Sequence, residues 1–201
     1  MIYLFCSRSS LGARDLVAWI NQNGGGAARL RTMKNMAWGP GNWVVNWGSY
    51  VPPEFRMCAR LLNARVIHNK YQELQVLSKA GVRCVESSRT PRDGWLPRLT
   101  RHHEANDLLA GLTVGDYYTK FQASSQEHRV HVFRNKSIRT AVKVPRVAHP
   151  NPKFRSWQAG WKFSYTGGTP ALWNIAVRAV EALELDFGAV DILHGTDGRL
   201  Y

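Results

Sequence analysis

Glu127, Arg129 and His131 occupy alternate positions of the stretch SSQEHRVHVF, with Val130 and Val132 between them. Side chains of a strand alternate between its two faces. The valines therefore point one way, and an acid, a guanidinium and an imidazole share the other. The following stretch, SIRTAVKV at 137–144, alternates in the same manner, with Ile138, Thr140, Val142 and Val144 against Ser137, Arg139, Ala141 and Lys143. A one-residue slip would send every side chain of one strand to the wrong face. A three-residue loop, Arg134–Asn135–Lys136, keeps both faces coherent. It sets Val132 opposite Ile138, Val130 opposite Thr140, His131 opposite Arg139 and Glu127 opposite Lys143. The polar face then carries Glu127, Arg129, His131, Arg139 and Lys143. Cations in that excess repel one another unless an anion lies among them. Phosphate or carboxylate chemistry is one reading of the face, and an ordinary solvated surface is the other.

Around this hairpin the chain reads as alternating short strands and helices. Ile2–Cys6 is a buried strand, Asp15–Asn21 a helix stopped by Gly24–Gly26, and residues 42–48 a second strand. Pro52 and Pro53 mark a boundary. Residues 54–79 are mostly helical, interrupted by NARVIHNK, and residues 80–87 make a turn and a strand. GWLPRL at 94–99 and DYYTKFQ at 116–122 are further strands, and residues 145–168 are irregular and basic. Thr169 caps a helix that has Pro170 in its first turn. Phe187–Leu193 is a buried strand bearing Asp191, Gly195–Gly198 a turn, and Arg199–Tyr201 the start of a return strand.

The 201 residues hold 27 Lys and Arg against 14 Asp and Glu, a net charge of +13 that selects anionic partners, nucleic acid among them. The 8 Trp are suited to base stacking or to packing. Cys6, Cys58 and Cys84 are far apart and odd in number, which argues against a disulfide framework and fits a reducing cytoplasm. No apolar run reaches the ~20 residues of a membrane span, and the first residues read as a strand rather than a signal peptide. His128 and His131 fall on opposite strand faces without metal-spaced carboxylates or thiols beside them, which argues against a zinc site. No GxxxxGK[ST] loop or Ser/His/Asp elbow is present.

YYTKFQASSQEHRVHVF, then a basic strand carrying Lys143, then RAVEALELDFGAVDIL resembles the ATP-grasp superfamily, specifically its small ligase-like members of bacteria and phages. The likeness runs over roughly residues 64–201. It implies an α+β fold in which two subdomains, 53–118 and 119–201, clasp ATP, after a small α/β unit at 1–52. It implies a reaction joining a small-molecule or peptide carboxylate to an amine through an acyl phosphate, with ATP and Mg²⁺ as cofactors. On the matching positions, Lys70 and Arg98 meet the phosphates, Tyr118, Thr119, Lys120 and Phe121 form the hinge that reads adenine, and Glu127 and Arg139 help hold the nucleotide. Arg129 and Lys143 face the transferred phosphoryl group, and Asp191 is the metal ligand. Two departures stand out. The loop LTRHHEANDL lacks the family's glycines, leaving His102 and His103 in their place. The chain also stops at DGRLY, before the Glu-x-Asn motif that supplies the other metal ligands, so a nucleotide-binding form without full catalysis is expected.

Overall fold

The computed structural model describes residues 1–6, 10–30, 41–48, 60–67, 69–100, 111–151 and 153–201. The Pro52–Pro53 boundary, Cys58, and His102 and His103 lie outside these residues. The chain divides into two units, Met1–Val66 with Glu184–Asp186, and Ile67–Leu183 with Phe187–Tyr201.

The first unit is a parallel sheet with one described helix. Its strands are β1 (Ile2–Phe5), β2 (Ala27–Leu30), β3 (Trp43–Asn46) and β4 (Leu61–Leu62), in the order β2-β1-β3-β4. Helix α1 spans Leu11–Gln22, longer than the sequence indicates, because the Ser10 hydroxyl caps it by accepting from the Ala13 N–H. Leu4, Cys6 and Ala13 form its core, with Leu16, Val17 and Val45 packed around them. Sequence reading overlooked β2: AARL has one long apolar residue and no alternation to reveal it. The side chain of Asn21 fixes that strand's start, donating to and accepting from the Ala27 backbone. Farther along, the Asn63 N–H donates to Asp186 and the Asp186 N–H returns a bond to the Asn63 side chain.

The second unit has two antiparallel sheets and two described helices. The smaller sheet has the order β5-β7-β6, from β5 (Ser87–Ser88), β6 (Trp95–Arg98) and β7 (Tyr117–Lys120). The strand expected at 80–87 is therefore only its last residue and Ser88. Helix α2, Lys70–Lys79, starts at Asn69, whose side chain accepts from the N–H groups of Tyr71 and Gln72. The larger sheet has the order β10-β9-β8-β11, from β8 (Ser124–Phe133), β9 (Lys136–Pro145), β10 (Trp161–Thr166) and β11 (Phe187–Gly195). Helix α3, Pro170–Ala182, begins at the Thr169 cap with Pro170 in its first turn, and buries Leu172, Ala176, Ala179 and Val180. Against these, the sheet turns His128, Val130, Val132, Thr140 and Ile192, all buried.

The hairpin departs from the expected loop. Arg134 and Asn135 both have positive φ, 45° and 60°, and form a two-residue turn that pairs Phe133 with Lys136. Two residues at positive φ give the twist that joins antiparallel strands tightly. Val132 consequently faces Ser137, not Ile138. A bulge between His131 and Val132 then inserts Ile138 as the extra residue and restores His131 opposite Arg139 and Val130 opposite Thr140. The expected faces hold from Arg139 and Thr140 onward but not beside the turn, where Ser137 takes the place expected of Ile138 opposite Val132 and Ile138 is 64% exposed. Residues 145–168 are also not wholly irregular, since β10 occupies 161–166 and pairs with β9 along its whole length.

Candidate functional site

The polar face of the larger sheet assembles from four strands. Cross-strand partners share a face, and the register sets Asp191 beside Arg129, Arg129 beside Ala141, His131 beside both Arg139 and Ala189, and Lys143 beside Phe163. Two ion pairs cross the strands. Lys143 Nζ lies 2.5 Å from Glu127 Oε1, with only 14% and 12% of the two side chains exposed. Arg129 grips Asp191 with both prongs, Nε to Oδ1 at 2.6 Å and NH2 to Oδ2 at 2.8 Å, and is 35% exposed against 47% for Asp191. Phe163 lies under both cations, 4.2 Å from the Arg129 guanidinium carbon and 5.1 Å from Lys143 Nζ. Such a ring holds a guanidinium flat while leaving its N–H edge free for carboxylates or phosphates.

These surroundings alter proton affinities. Burial pushes the Glu127 carboxyl above its ordinary value, opposed by the Lys143 ammonium and reinforced by the nearby Asp191 charge. The bond to Asp191 raises Arg129 and secures its proton. Burial lowers His131, and the charges of Arg129 and Arg139 lower it further.

The enclosed end of this face opens into a cavity of about 710 Å³, which is also lined by β6, β7 and the two helices. Arg98, Thr119, Lys120, Phe121, Glu127, Arg129, Lys143 and Asp191 all border it. Arg98 is placed there by close backbone packing: a Cβ on Gly115 would meet the Arg98 nitrogen at 2.4 Å, so only glycine fits. The Arg98 Nε donates to the buried Thr119 hydroxyl at 3.2 Å, and burial pulls the guanidinium below its ordinary value, with Tyr117 opposing. Lys120 bonds Glu86 at the cavity rim. Phe121 begins the segment 121–123 that links β7 to β8 outside any strand, and is 41% exposed.

Three sequence-selected residues are outside the lining. Tyr118 is buried. Lys70 opens α2 and bonds Glu73 at 2.6 Å. Arg139 shares the polar face with Arg129 but stands beyond the cavity, stacked 3.5 Å over Tyr165. Lys153, Arg155, Trp161 and Phe163 line the cavity and were not singled out from the sequence. Arg155 is anchored by donating to the Ser124 carbonyl at 2.6 Å and lies 4.9 Å over Trp161. The signal that could have found the two aromatic residues is the alternation of WKFSYT, where Trp161, Phe163 and Tyr165 share one face. Among the described residues no group of three or more His, Cys, Asp or Glu is placed to hold a metal ion, and no helix is long and apolar enough to cross a membrane.

No family model and no curated protein sequence matches the chain. Solved structures do match its fold. The ATP-grasp ligase PsnB, complexed with a minimal precursor, Mg and ADP, superposes with a TM-score of 0.64 at 15% identity, covering 99% of this chain and 86% of that one. The macrocyclase MdnC, bound with precursor peptide MdnA from Microcystis aeruginosa MRC, gives 0.63 at 11% identity, covering 100% and 89%. N5-carboxyaminoimidazole synthase from Aspergillus clavatus, in complex with ADP and 5-aminoimidazole ribonucleotide, gives 0.63 at 15%, covering 99% and 67%.

Proposed function

For a chain with the ATP-grasp fold, we propose that the cavity takes ATP with Mg²⁺ and that the protein is an ATP-dependent carboxylate–amine ligase. The observation that carries this reading is the pair of cross-strand ion pairs, Glu127–Lys143 and Arg129–Asp191, set on one sheet face at a cavity of about 710 Å³. In the proposed reaction a substrate carboxylate accepts the γ-phosphoryl group of ATP. An amine then attacks the acyl phosphate, so that the C–N bond forms as inorganic phosphate leaves.

Phosphoryl transfer asks a protein chiefly for positioning and for neutralisation of developing charge. Arg129, over the Phe163 ring, and Lys143 supply positive charge where the phosphoryl group would lie. Arg98 and Arg155 add cations at the cavity wall, and Phe121 offers an aromatic surface at the link between the two sheets. Glu127 and Asp191 are the carboxylates that line the cavity. Magnesium typically binds one or two carboxylates together with phosphate oxygens, so this donor set fits an ion that arrives with the nucleotide. Bound there, Mg²⁺ would neutralise phosphate charge. For Asp191 to serve it, Arg129 must loosen its two-pronged hold, which couples the guanidinium to ligand arrival.

The test is titration with Mg-ATP followed by thermal unfolding, in which a ligand that binds only the folded state raises the midpoint. The midpoint is expected to rise, and Arg129→Ala to abolish the rise. A folded sample unmoved by millimolar Mg-ATP sinks the reading. ADP release that depends on added carboxylate and amine separates a ligase from a nucleotide-binding protein without catalysis. Nucleic-acid binding is a second reading, favoured by the net charge of +13 and by Arg146 stacked 4.4 Å over the exposed Trp157.

A further inference from the structure

The polar face of the larger sheet continues past the cavity, and its outer part differs from its inner part. In the inner part each cation nearest the centre of the face has a carboxylate: Lys143 has Glu127, and Arg129 has Asp191. One rung farther out the register places His131 between Arg139 and Ala189, while Ala141 and Tyr165 stay on the rung of Arg129, from which Tyr165 meets the Arg139 side chain. Arg139 makes no ion pair among the described residues. Its guanidinium carbon lies 3.5 Å over the ring of Tyr165, and both side chains are exposed, Tyr165 by 63%.

A guanidinium stacked on a ring has its faces engaged by carbon and its in-plane N–H groups directed outward, the geometry for a two-pronged grip on a carboxylate. Ala189 is short and exposed, and Arg139 beside it on the other flank of His131 is exposed too, so the outer rung is a shallow shelf rather than a filled core. The positive field there is evident in His131, whose proton affinity is lowered by Arg129 and Arg139 beyond the effect of burial. Asp191, on the rung of Arg129, offsets that field in part, but among the described residues no acid pairs with Arg139 itself.

We propose that Arg139, backed by Tyr165 and flanked by His131, is a second anion-reading position that selects acceptor substrates bearing a further carboxylate beside the one to be activated. The inference rests on the ligase reading only for the word acceptor. The spacing gives the substrate class. Arg139 lies opposite His131, two residues along β8 from Arg129, and two residues of strand span about 7 Å. Two carboxylates that far apart are carried by neighbouring acidic side chains of a polypeptide, or by a small di-acid. A monocarboxylate can satisfy only one position.

The experiment is direct binding, by calorimetry, of a hexaglutamate peptide, the matching hexaglutamine peptide, glutarate, acetate and a short oligothymidylate. Each is titrated into the wild-type protein and into Arg139→Ala, Arg139→Lys and Tyr165→Leu. Hexaglutamate is expected to bind and hexaglutamine not. Arg139→Ala is expected to weaken hexaglutamate at least tenfold, and Arg139→Lys to weaken it partly, since an ammonium keeps the charge and loses the planar fork. Tyr165→Leu is expected to weaken it less than Arg139→Ala. Glutarate binding above acetate assigns the shelf to small di-acids as well as to peptides. Hexaglutamate affinity unchanged in Arg139→Ala overturns the proposal. Oligothymidylate binding as tightly, with the same dependence on Arg139, also overturns it, because the shelf would then read polyanions at large. Mg-ATP titration of the wild type is run separately. If it gives no response while hexaglutamate still needs Arg139, the ligase reading fails and the second anion position stands.

Discussion

Strand β8 carries one histidine on each face of the larger sheet, and the two lie in different surroundings. His128 is turned toward α3 among Val130, Val132 and Ile192, is 8% exposed, and its Nδ1 has no hydrogen-bond partner among the described residues. His131 is turned the other way, among Arg129, Arg139 and Asp191. Both are held below the ordinary imidazole value, first by burial. His194 adds to the effect on His128, and two arginines add to it on His131. One residue type, three positions apart, thus belongs to a hydrophobic core in one case and to an electrostatic surface in the other. Strand alternation alone separates stability from chemistry here, so substitutions on the two faces are expected to fail in different ways.

The largest effect belongs to the buried face. Ile192 is 1% exposed beneath α3, and Ile192→Ala removes three buried carbons and leaves a cavity, for an expected cost of about 2–5 kcal/mol in denaturant unfolding. A cost below about 1 kcal/mol would mean that α3 does not pack on this sheet as described. On the polar face the largest effect is expected from Lys143→Met. Stripping one partner from a fully buried pair costs about 3–5 kcal/mol; with 12–14% of each side chain exposed here, roughly 1–3 kcal/mol is expected. The pH dependence identifies the cause. A carboxyl whose folded value is raised binds its proton more readily in the folded state, so its contribution to stability falls as pH rises from the ordinary glutamate value through the raised one. Lys143 opposes that shift, and its loss should steepen the decline. An unchanged pH profile in Lys143→Met would show that Glu127 does not depend on it.

The histidines give a smaller effect with the opposite sign. A group whose folded value is depressed contributes stability that is complete above its unfolded value, about 6.5 for imidazole, and is lost as pH falls toward the depressed one. His128→Leu should flatten the loss of stability on acidification below that value, because a neutral side chain no longer has to charge in the core. His131→Gln should flatten it too, and also relieve the crowding of positive charge beside Arg139. If neither substitution alters the acid limb of the stability profile, the assignment of burial as the main cause fails at both sites.

Legibility in the sequence followed the same division between faces. The pairing of Val130 with Thr140 and of His131 with Arg139 could be read from alternation, because a slip would have buried Arg129 and exposed the valines. The turn could not, since parity counts residues and cannot separate a three-residue loop from a two-residue turn with a bulge at Ile138. Strand β10 was overlooked because its flanks are rich in Pro, Gly and Arg, although Trp161, Phe163 and Tyr165 alternate cleanly. With β10 went the aromatic support of the site, Phe163 under Arg129 and Tyr165 under Arg139. Charge placement was legible from β8, β9 and β11; the rings that orient the charges were missed with β10, whose own alternation was hidden by its irregular flanks.

The smallest effect sharpens the comparison within the polar face itself. Arg129–Asp191 has the better geometry of the two ion pairs, with two short bonds, yet it is the more exposed. In water-accessible surroundings Coulomb attraction is weak and ordering two side chains has an entropic cost, so exposed pairs contribute about 0–1 kcal/mol. Bidentate contact and the Phe163 ring place this pair toward the upper end of that range. A double-mutant cycle of Arg129→Ala and Asp191→Ala on unfolding free energy is therefore expected to give a coupling below about 1 kcal/mol, smaller than the corresponding cycle of Lys143 and Glu127. The same cycle repeated with saturating Mg-ATP should behave differently. If the ligand draws Arg129 away from Asp191, the coupling measured on nucleotide affinity is unfavourable: Asp191→Asn frees the guanidinium and offsets part of its own loss. Coupling that is equally favourable with and without nucleotide would mean that the pair never opens, and that Asp191 is a structural partner of Arg129 rather than a ligand for the metal.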